Sequence, residues 1–241
     1  GRVLALDGII QTTQGDEAHY HEMIAHVPIL AHGAARRVLI IGGGDGGTLR
    51  EVLKHPGVEA TMVEIDPAVI EMSKAHLPTL SDGAFDDPRG QVVIADGARF
   101  MAETDETFDV IIIDSTDPTG PGAVLFSEDF YTDCRKRLNA GGILVTQNGV
   151  PFLQPDELTN SFRRLSPHFD DVTFYVTAVP TYVGGVMTLG FASLDPGHRR
   201  HGVDEITRRY EAAGAFPTRY YTPEVHVGSF GLPRYIQDLM T

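Results

Sequence analysis

Apolar and polar positions along the chain follow two alternating periods. Short apolar runs at 38–41, 60–65, 91–95, 110–113 and 143–146 are separated by stretches of helical spacing near 47–55, 67–76, 97–102 and 127–138. Runs that are apolar throughout fit strands buried on both faces, and the helical stretches between them supply the crossovers that parallel strands need. Before this alternation, VLALDGIIQ at 3–11 reads as two short runs about Asp7-Gly8, a tight hairpin turn. A helix is predicted over 17–30, with apolar Met23, Val27 and Leu30.

After a helix at 155–169, the last two β runs, 172–179 and 186–192, are joined only by PTYVGG. A parallel crossover takes a dozen or more residues, so this pair must be antiparallel. Five β/α units closed by an antiparallel hairpin is the Rossmann-like sheet of S-adenosylmethionine-dependent transferases; a dinucleotide dehydrogenase would add a sixth parallel strand. The whole of 1–241 reads as one α/β domain with a short N-terminal β-hairpin. Beyond Gly197, a helical run at 203–214 and an aromatic, proline-punctuated tail read as small appendages.

Nineteen basic residues against 33 acidic ones leave a net charge of −14, which sets nucleic acid aside as a partner and favours cationic ligands. The single cysteine, Cys134, lies in a helical pattern and reads as a buried structural thiol. No apolar run approaches the roughly 18 residues that span a bilayer. A cytoplasmic protein without a membrane partner is therefore expected. The chain opens on Gly1 inside a β run, so residues upstream are expected to be missing.

Gly42-Gly43-Gly44-Asp45-Gly46-Gly47 follows the first buried strand and opens a helix, the setting in which G-x-G-x-x-G marks a nucleotide site. Glu64 ends the second strand, where such sheets place an acid on the ribose hydroxyls, and Asp96-Gly97 ends the third, suited to an adenine amino group. Asp45 is unusual there: a fixed carboxylate near the loop opposes an anionic ligand, although Asp also caps helices. Asp114 and Asp117, in DSTDPTGPG after the fourth strand, face the same crevice, and three carboxylates around one pocket suit an amine cation. His21 and His26 resemble a zinc-protease string but are five apart and diverge around a helix, so no metal site is expected.

The ordered set LDGIIQTT, DEAHYHEM, IIGGGDGG, VEIDP, ADG, DSTDPTGPG and PTYVGG resembles the bacterial spermidine synthases, the polyamine aminopropyltransferases, over essentially the whole chain. The resemblance implies transfer of an aminopropyl group from decarboxylated S-adenosylmethionine, a co-substrate, to putrescine, giving spermidine and methylthioadenosine; no prosthetic group is implied. It makes Asp114 the catalytic base. Gln11, Gly42, Gly44, Asp45, Glu64, Asp96, Gly97 and Pro121 match the cofactor pocket. Tyr20, His21, Asp45, Asp117 and Tyr182 match positions around the polyamine, where the tyrosine faces would flank the amine.

The resemblance also implies a homodimer or homotetramer. The family's N-terminal β-domain is nearly absent before Gly1, and 1–13 reads as its remnant; a further cofactor-site glutamine and some oligomer contacts would go with it. Thr116 stands where many relatives carry Ser. The alternatives are an amine N-methyltransferase on the same scaffold and a non-catalytic polyamine-binding protein. Putrescine, cadaverine, agmatine and spermidine all remain candidate acceptors.

Overall fold

The computed structural model describes residues 1–241 apart from Asp7 and Thr119 and the side chains of Leu6 and Pro121. The N-terminal ribbon pairs β1 (Val3–Leu6) with β2 (Ile9–Thr13), antiparallel and with a register shift between Leu4 and Ala5. The turn predicted at Asp7-Gly8 falls partly outside the described residues; Gly8 itself has φ 82°. Helix α1 (Glu17–His32) follows and closes on Gly33 in the left-handed conformation, whose N–H donates to the Ile29 carbonyl.

The alternation then unfolds as β3 (Arg37–Gly42), α2 (Gly47–Leu53), β4 (Glu59–Glu64), α3 (Pro67–His76), the short α4 (Pro78–Ser81), β5 (Gly90–Ile94), α5 (Gly97–Glu103), β6 (Phe108–Asp114), α6 (Glu128–Arg137) and β7 (Leu138–Gln147). Helix α7 (Pro155–Leu165) leads into β8 (Asp171–Thr177) and β9 (Met187–Ser193), the antiparallel hairpin. Helix starts follow local chemistry. Asp66, Asp96 and Ser127 each accept backbone N–H groups of the first turn, and Pro67 and Pro155 occupy positions where a missing N–H costs nothing.

The seven strands are ordered β5-β4-β3-β6-β7-β9-β8, with β9 inserted between β7 and β8 and antiparallel to both. Val38 and Ile40 of β3 face one core with α1 and α2, while Leu39 and Ile41 face another with α6, as a strand covered on both sides requires. Cys134 is fully buried in the second core, and burial pushes its thiol pKa up. Chain order reverses between β3 and β6, so the crevice for a ligand opens at their carboxyl ends. Among the described residues no helix is long and apolar enough to cross a membrane.

Two differences from the sequence reading matter. Strand β7 begins directly after α6, five residues before the apolar run at 143–146, because its first half pairs with β6 through an irregular register. The tail is not an appendage. It forms α8 (Val203–Ala212), α9 (Pro223–Ser229) and α10 (Arg234–Gln237), and its segment 219–221 is bound to α1 by Glu22. The buried Glu22 carboxylate accepts the N–H groups of Arg219 at 2.7 Å, Tyr220 at 2.8 Å and Tyr221 at 2.7 Å.

Hydrogen bonds to a charged group are the stronger kind, and Glu22→Gln keeps one acceptor oxygen while turning an N–H₂ toward backbone donors. The variant should lose on the order of 3 kcal/mol of folding stability. Urea unfolding checks this as a lower midpoint at unchanged m.

Candidate active site

The crevice is built on Asp114, the last residue of β6. Its Oδ1 accepts the Tyr20 hydroxyl at 2.7 Å and its Oδ2 accepts the Thr48 hydroxyl at 2.6 Å. Its carbonyl presses on the glycine loop: Gly43 donates an N–H to it at 2.9 Å, and a Cβ at Gly42, where φ is 87°, would lie 2.1 Å from that oxygen. Only glycine permits both the backbone angle and the approach. Burial pushes the Asp114 pKa up and the nearby Asp45 charge adds to this, against the lowering effects of His21, Thr48 and Tyr20.

Of the two roles weighed for it, Asp45 is seen in one, the cap on α2. Its Oδ1 accepts the Gly47 N–H at 2.8 Å at the start of α2, and its Oδ2 lies 3.4 Å from His21 Nε2. His21 is 2% exposed, and its Nδ1 meets Glu17 Oε2 at 2.7 Å. Both ring nitrogens thus face protein carboxylates, and the ring acts on the pocket through Asp45. Burial opposes a charged imidazole, but Asp45 and Glu17 outweigh it and raise the His21 pKa to about 10. Burial likewise opposes the Glu17 carboxylate, which His21 and Arg50 nevertheless hold below its ordinary value; Arg50 donates to it at 2.8 Å. The other histidine of the string, His26, belongs to a separate buried group with His55 and Glu51, at 3.0 and 2.9 Å. Among the described residues no group of three His, Cys, Asp or Glu side chains is arranged to hold a metal ion.

Most of the residues expected from sequence around the donor lie at the ends of β3, β4 and β5. Glu64 is buried, not a surface carboxylate; its Oε1 accepts the Asp66 N–H at 2.9 Å, and its Oε2 would lie 2.8 Å from a Cβ at Gly44. Burial raises its pKa. Asp96 is exposed and caps α5 through Oδ1, and Gly97 packs its backbone against Ile41. Gln11, in β2, turns its amide back to the Ile9 carbonyl at 3.3 Å, while its own carbonyl accepts the Tyr182 hydroxyl. Pro121 lies in a 3₁₀ turn, and its side chain is outside the described residues.

Asp117 is more than a turn former. Its Oδ1 accepts Gln147 Nε2 at 3.1 Å and its Oδ2 accepts Gln154 Nε2 at 2.8 Å. Tyr182 is half-buried in the β8–β9 connection, and the preceding Thr181 N–H donates to Asp16 at 2.8 Å. The sequence reading missed Glu17, Thr48, Gln147 and Gln154. Only Thr48 carried a local signal, one position past the glycine loop in the first turn of α2.

The His21 charge makes a stability statement. Its folded pKa of about 10 lies above the ordinary 6.5, so the contribution is fully present below pH 6.5 and lost as pH rises through 10. Wild-type melting temperature should fall over that window, and His21→Gln should flatten the fall; parallel slopes from differential scanning calorimetry would count against a charged His21.

With this geometry in place, comparison with known proteins is direct. The family model described as spermine/spermidine synthase domain matches residues 17–200. A polyamine aminopropyltransferase of Pseudomonas aeruginosa is 60% identical over 237 residues, 98% of this chain and 82% of that protein. One from Ruegeria is 58% identical over 240 residues, 99% of this chain and 84% of that protein. The fold superposes at a TM-score of 0.91 on a spermidine synthase solved with the transition state analogue AdoDATO, at 43% identity, covering 99% of this chain and 80% of that one. The spermidine synthase of Thermotoga maritima gives 0.88 at 40% identity, covering 99% and 79%. By the extent of the match and the identity of its relatives, the chain belongs to the spermine/spermidine synthase family.

Proposed function

We propose that the chain is a spermidine synthase, moving the aminopropyl group of decarboxylated S-adenosylmethionine to putrescine and releasing spermidine and methylthioadenosine. The observation that carries the reading is the position of Asp114, held by two hydroxyl donors at the carboxyl end of β6 and paired in register with the glycine loop. Glu64 takes the ribose hydroxyls, Asp96 the adenine edge, and Asp45 the ammonium of the aminopropyl arm. The sulfonium then stands over the β3–β6 switch point, beside Asp114.

A sulfonium makes its neighbouring carbon electrophilic, so the protein's work is to present a neutral amine in line behind that carbon. A primary amine of pKa about 10.4 gives up its proton at pH 7 at a cost of about 4–5 kcal/mol. Asp114 accepts that proton and frees the nitrogen lone pair; the C–N bond then forms as the C–S bond breaks, and the positive charge passes from sulfur to the new secondary ammonium of spermidine, leaving neutral methylthioadenosine. Tyr20 and Thr48 each occupy one lone pair of the carboxylate, so its orientation is fixed while the remaining lone pairs accept the amine N–H. Asp117 holds the acceptor in place, and the Tyr20 and Tyr182 rings flank its methylene chain.

The same reading includes a homodimer or homotetramer, supported by exposed Val3, Ile9 and Ile10 on the β1–β2 ribbon, and a cytoplasmic location, supported by the unpaired buried Cys134.

The test is mass-spectrometric detection of methylthioadenosine and spermidine from decarboxylated S-adenosylmethionine and putrescine, with intact S-adenosylmethionine as the control for methyl transfer. Asp114→Asn should cut kcat by roughly 10²–10⁴-fold, since the amide keeps the shape but takes no proton. Donor affinity by calorimetry should fall far less than kcat, since Asp114 acts on the donor only through the field at its sulfonium, whereas the proton has no other acceptor.

Donor selection gives a second expectation. Asp45 opposes the carboxylate of intact S-adenosylmethionine, but the charged His21 ring beside it reduces the repulsion that a bare carboxylate would exert. A preference for the decarboxylated donor of about tenfold, 1.4 kcal/mol, is expected from this contact. Asp45→Asn should narrow it, and equal affinity ratios in wild type and variant would remove Asp45 as the selector.

A further inference from the structure

The acceptor end of the crevice contains an acid that the reaction above does not use. Glu157, in the first turn of α7, meets the other hydrogen of the Gln154 amide, whose Nε2 lies 2.9 Å from Glu157 Oε1 and 2.8 Å from Asp117 Oδ2. One amide nitrogen therefore holds two carboxylates at a fixed spacing. The Gln154 carbonyl is itself fixed by the Val150 N–H at 3.1 Å, so the bridge has one orientation.

The network is short of donors and of positive charge. Gln147, 7% exposed, gives its Nε2 to Asp117, but among the described residues its buried Oε1 has no partner, nor has Glu157 Oε2. Among the described residues no Lys, Arg or His forms an ion pair with Asp117 or Glu157. The charged group facing Glu157 is Asp117; Gln154 and Gly149, against which its Oε2 rests, are neutral. The frame is rigid: Asn148, buried between Gln147 and Gly149, accepts the Thr146 hydroxyl and the Gly190 N–H at 3.1 Å and donates to Ser161 at 2.7 Å. Two linked carboxylates in such a frame, with no compensating cation, are stable company for a ligand that brings one.

Position along the sheet says which ligand. The donor residues lie at β5, β4 and β3, the base at β6, and the Gln147–Gln154–Glu157 group beyond it, at and after β7. An acceptor whose attacking nitrogen sits at Asp114 extends toward Gln147, which follows Thr146, the register partner of Ile113, on the adjacent strand about 4.8 Å away, with Gln154 and Glu157 beyond it. We propose that Glu157, acting through Gln154 on Asp117, is a specificity-determining residue that makes the far end of the acceptor pocket doubly anionic and so selects diamines over monoamines. The proposal rests on the aminopropyltransferase reading above.

Glu157 also gives the selectivity a pH signature. Burial, then the charge of Asp117, raises its pKa to about 7, so the second negative charge is present above that pH and absent below it. The far ammonium of a diamine stays charged up to a pKa of about 10.4 and does not obscure the change.

The experiment compares wild type with Glu157→Gln on putrescine and on n-butylamine, which has the same carbon chain without the far ammonium. The variant should raise the putrescine KM roughly tenfold, the scale of one lost charge several ångströms from an ammonium, with kcat and the donor KM within about twofold. Butylamine kcat/KM should be unchanged. The wild-type putrescine-to-butylamine ratio should rise between pH 6 and 8 and that of Glu157→Gln should not, while Glu157→Asp restores part of the rise. Equal losses for both amines, or an unchanged ratio and pH profile, would overturn the proposal. Calorimetric titration of both amines with methylthioadenosine present reads the same selectivity without turnover. A chain that binds with this selectivity and forms no product would keep the Glu157 role and remove the aminopropyltransferase reading.

Discussion

The charged ring of His21, wedged between Glu17 and Asp45, is what allows so many carboxylates to share one small crevice. Asp45 and Asp114 both sit where burial penalises charge, and the Asp45 charge adds to the penalty at Asp114. Without a cation in the wall, burial would drive Asp45 toward its neutral form, which could not serve the ammonium contact proposed for it. The compensation is extended rather than local. Glu17 is held by His21 and by Arg50, and Arg50 also pairs with Glu51, which in turn pairs with Lys54. Helix α1 is therefore buried along nearly its whole length while carrying Glu17, His21, Glu22 and His26 inward. Every one of those side chains is paired, as the cost of an unpaired buried charge demands.

That arrangement explains why the C-terminal tail belongs to the site. Glu22 lies one residue beyond His21 and forms no ion pair among the described residues; three backbone N–H groups at 219–221 satisfy it instead. The Tyr220 ring then packs on His19 with centroids 4.3 Å apart, and the Tyr220 hydroxyl accepts the Ala178 N–H at 3.3 Å, at the start of the β8–β9 connection. The same connection is fixed from its other side by Asp16 through Thr181. Tyr182 is thus carried by a loop anchored at both flanks to the helix that supplies Tyr20. The two rings proposed to flank the acceptor are set by one helix and its braces.

The parallel strands, the closing hairpin and the acids at strand ends were legible because each depends on local order: an apolar run, the residue that ends it, and a connection too short for a crossover. Gly42 to Gly47, Glu64 and Asp114 follow from those strand ends alone. Thr48 was nearly legible, but a threonine in a first helical turn has many uses. Gln147, Gln154 and Glu157 carry no motif; they matter because β7 lies beside β6, and strand adjacency is a tertiary fact. The burial of His21 was not legible: it depends on the fold covering the whole of α1, and its partner Asp45 lies 24 residues downstream. The zinc-like string likewise dissolves once His21 and His26 point into separate buried groups.

The balance at Asp114 has a mechanistic consequence. In the free enzyme, burial and the charge of Asp45 raise its pKa, a tendency held in check by His21, Thr48 and Tyr20. A bound donor changes both sides of that balance. On the proposed placement, its ammonium would neutralise Asp45 and its sulfonium would put a positive charge beside the β6 end, so both would favour the ionised form of Asp114. On the same placement, the positive charge would pass at transfer from the sulfur to the new secondary ammonium beside Asp114, so the product would also favour the ionised carboxylate and help it release the proton taken earlier. The donor's charge before the transfer and the product's charge after it would thus act on the base in the same sense. The Asp114 side chain needs no rearrangement between these states, because its hydrogen bonds to Tyr20 and Thr48 are already in place.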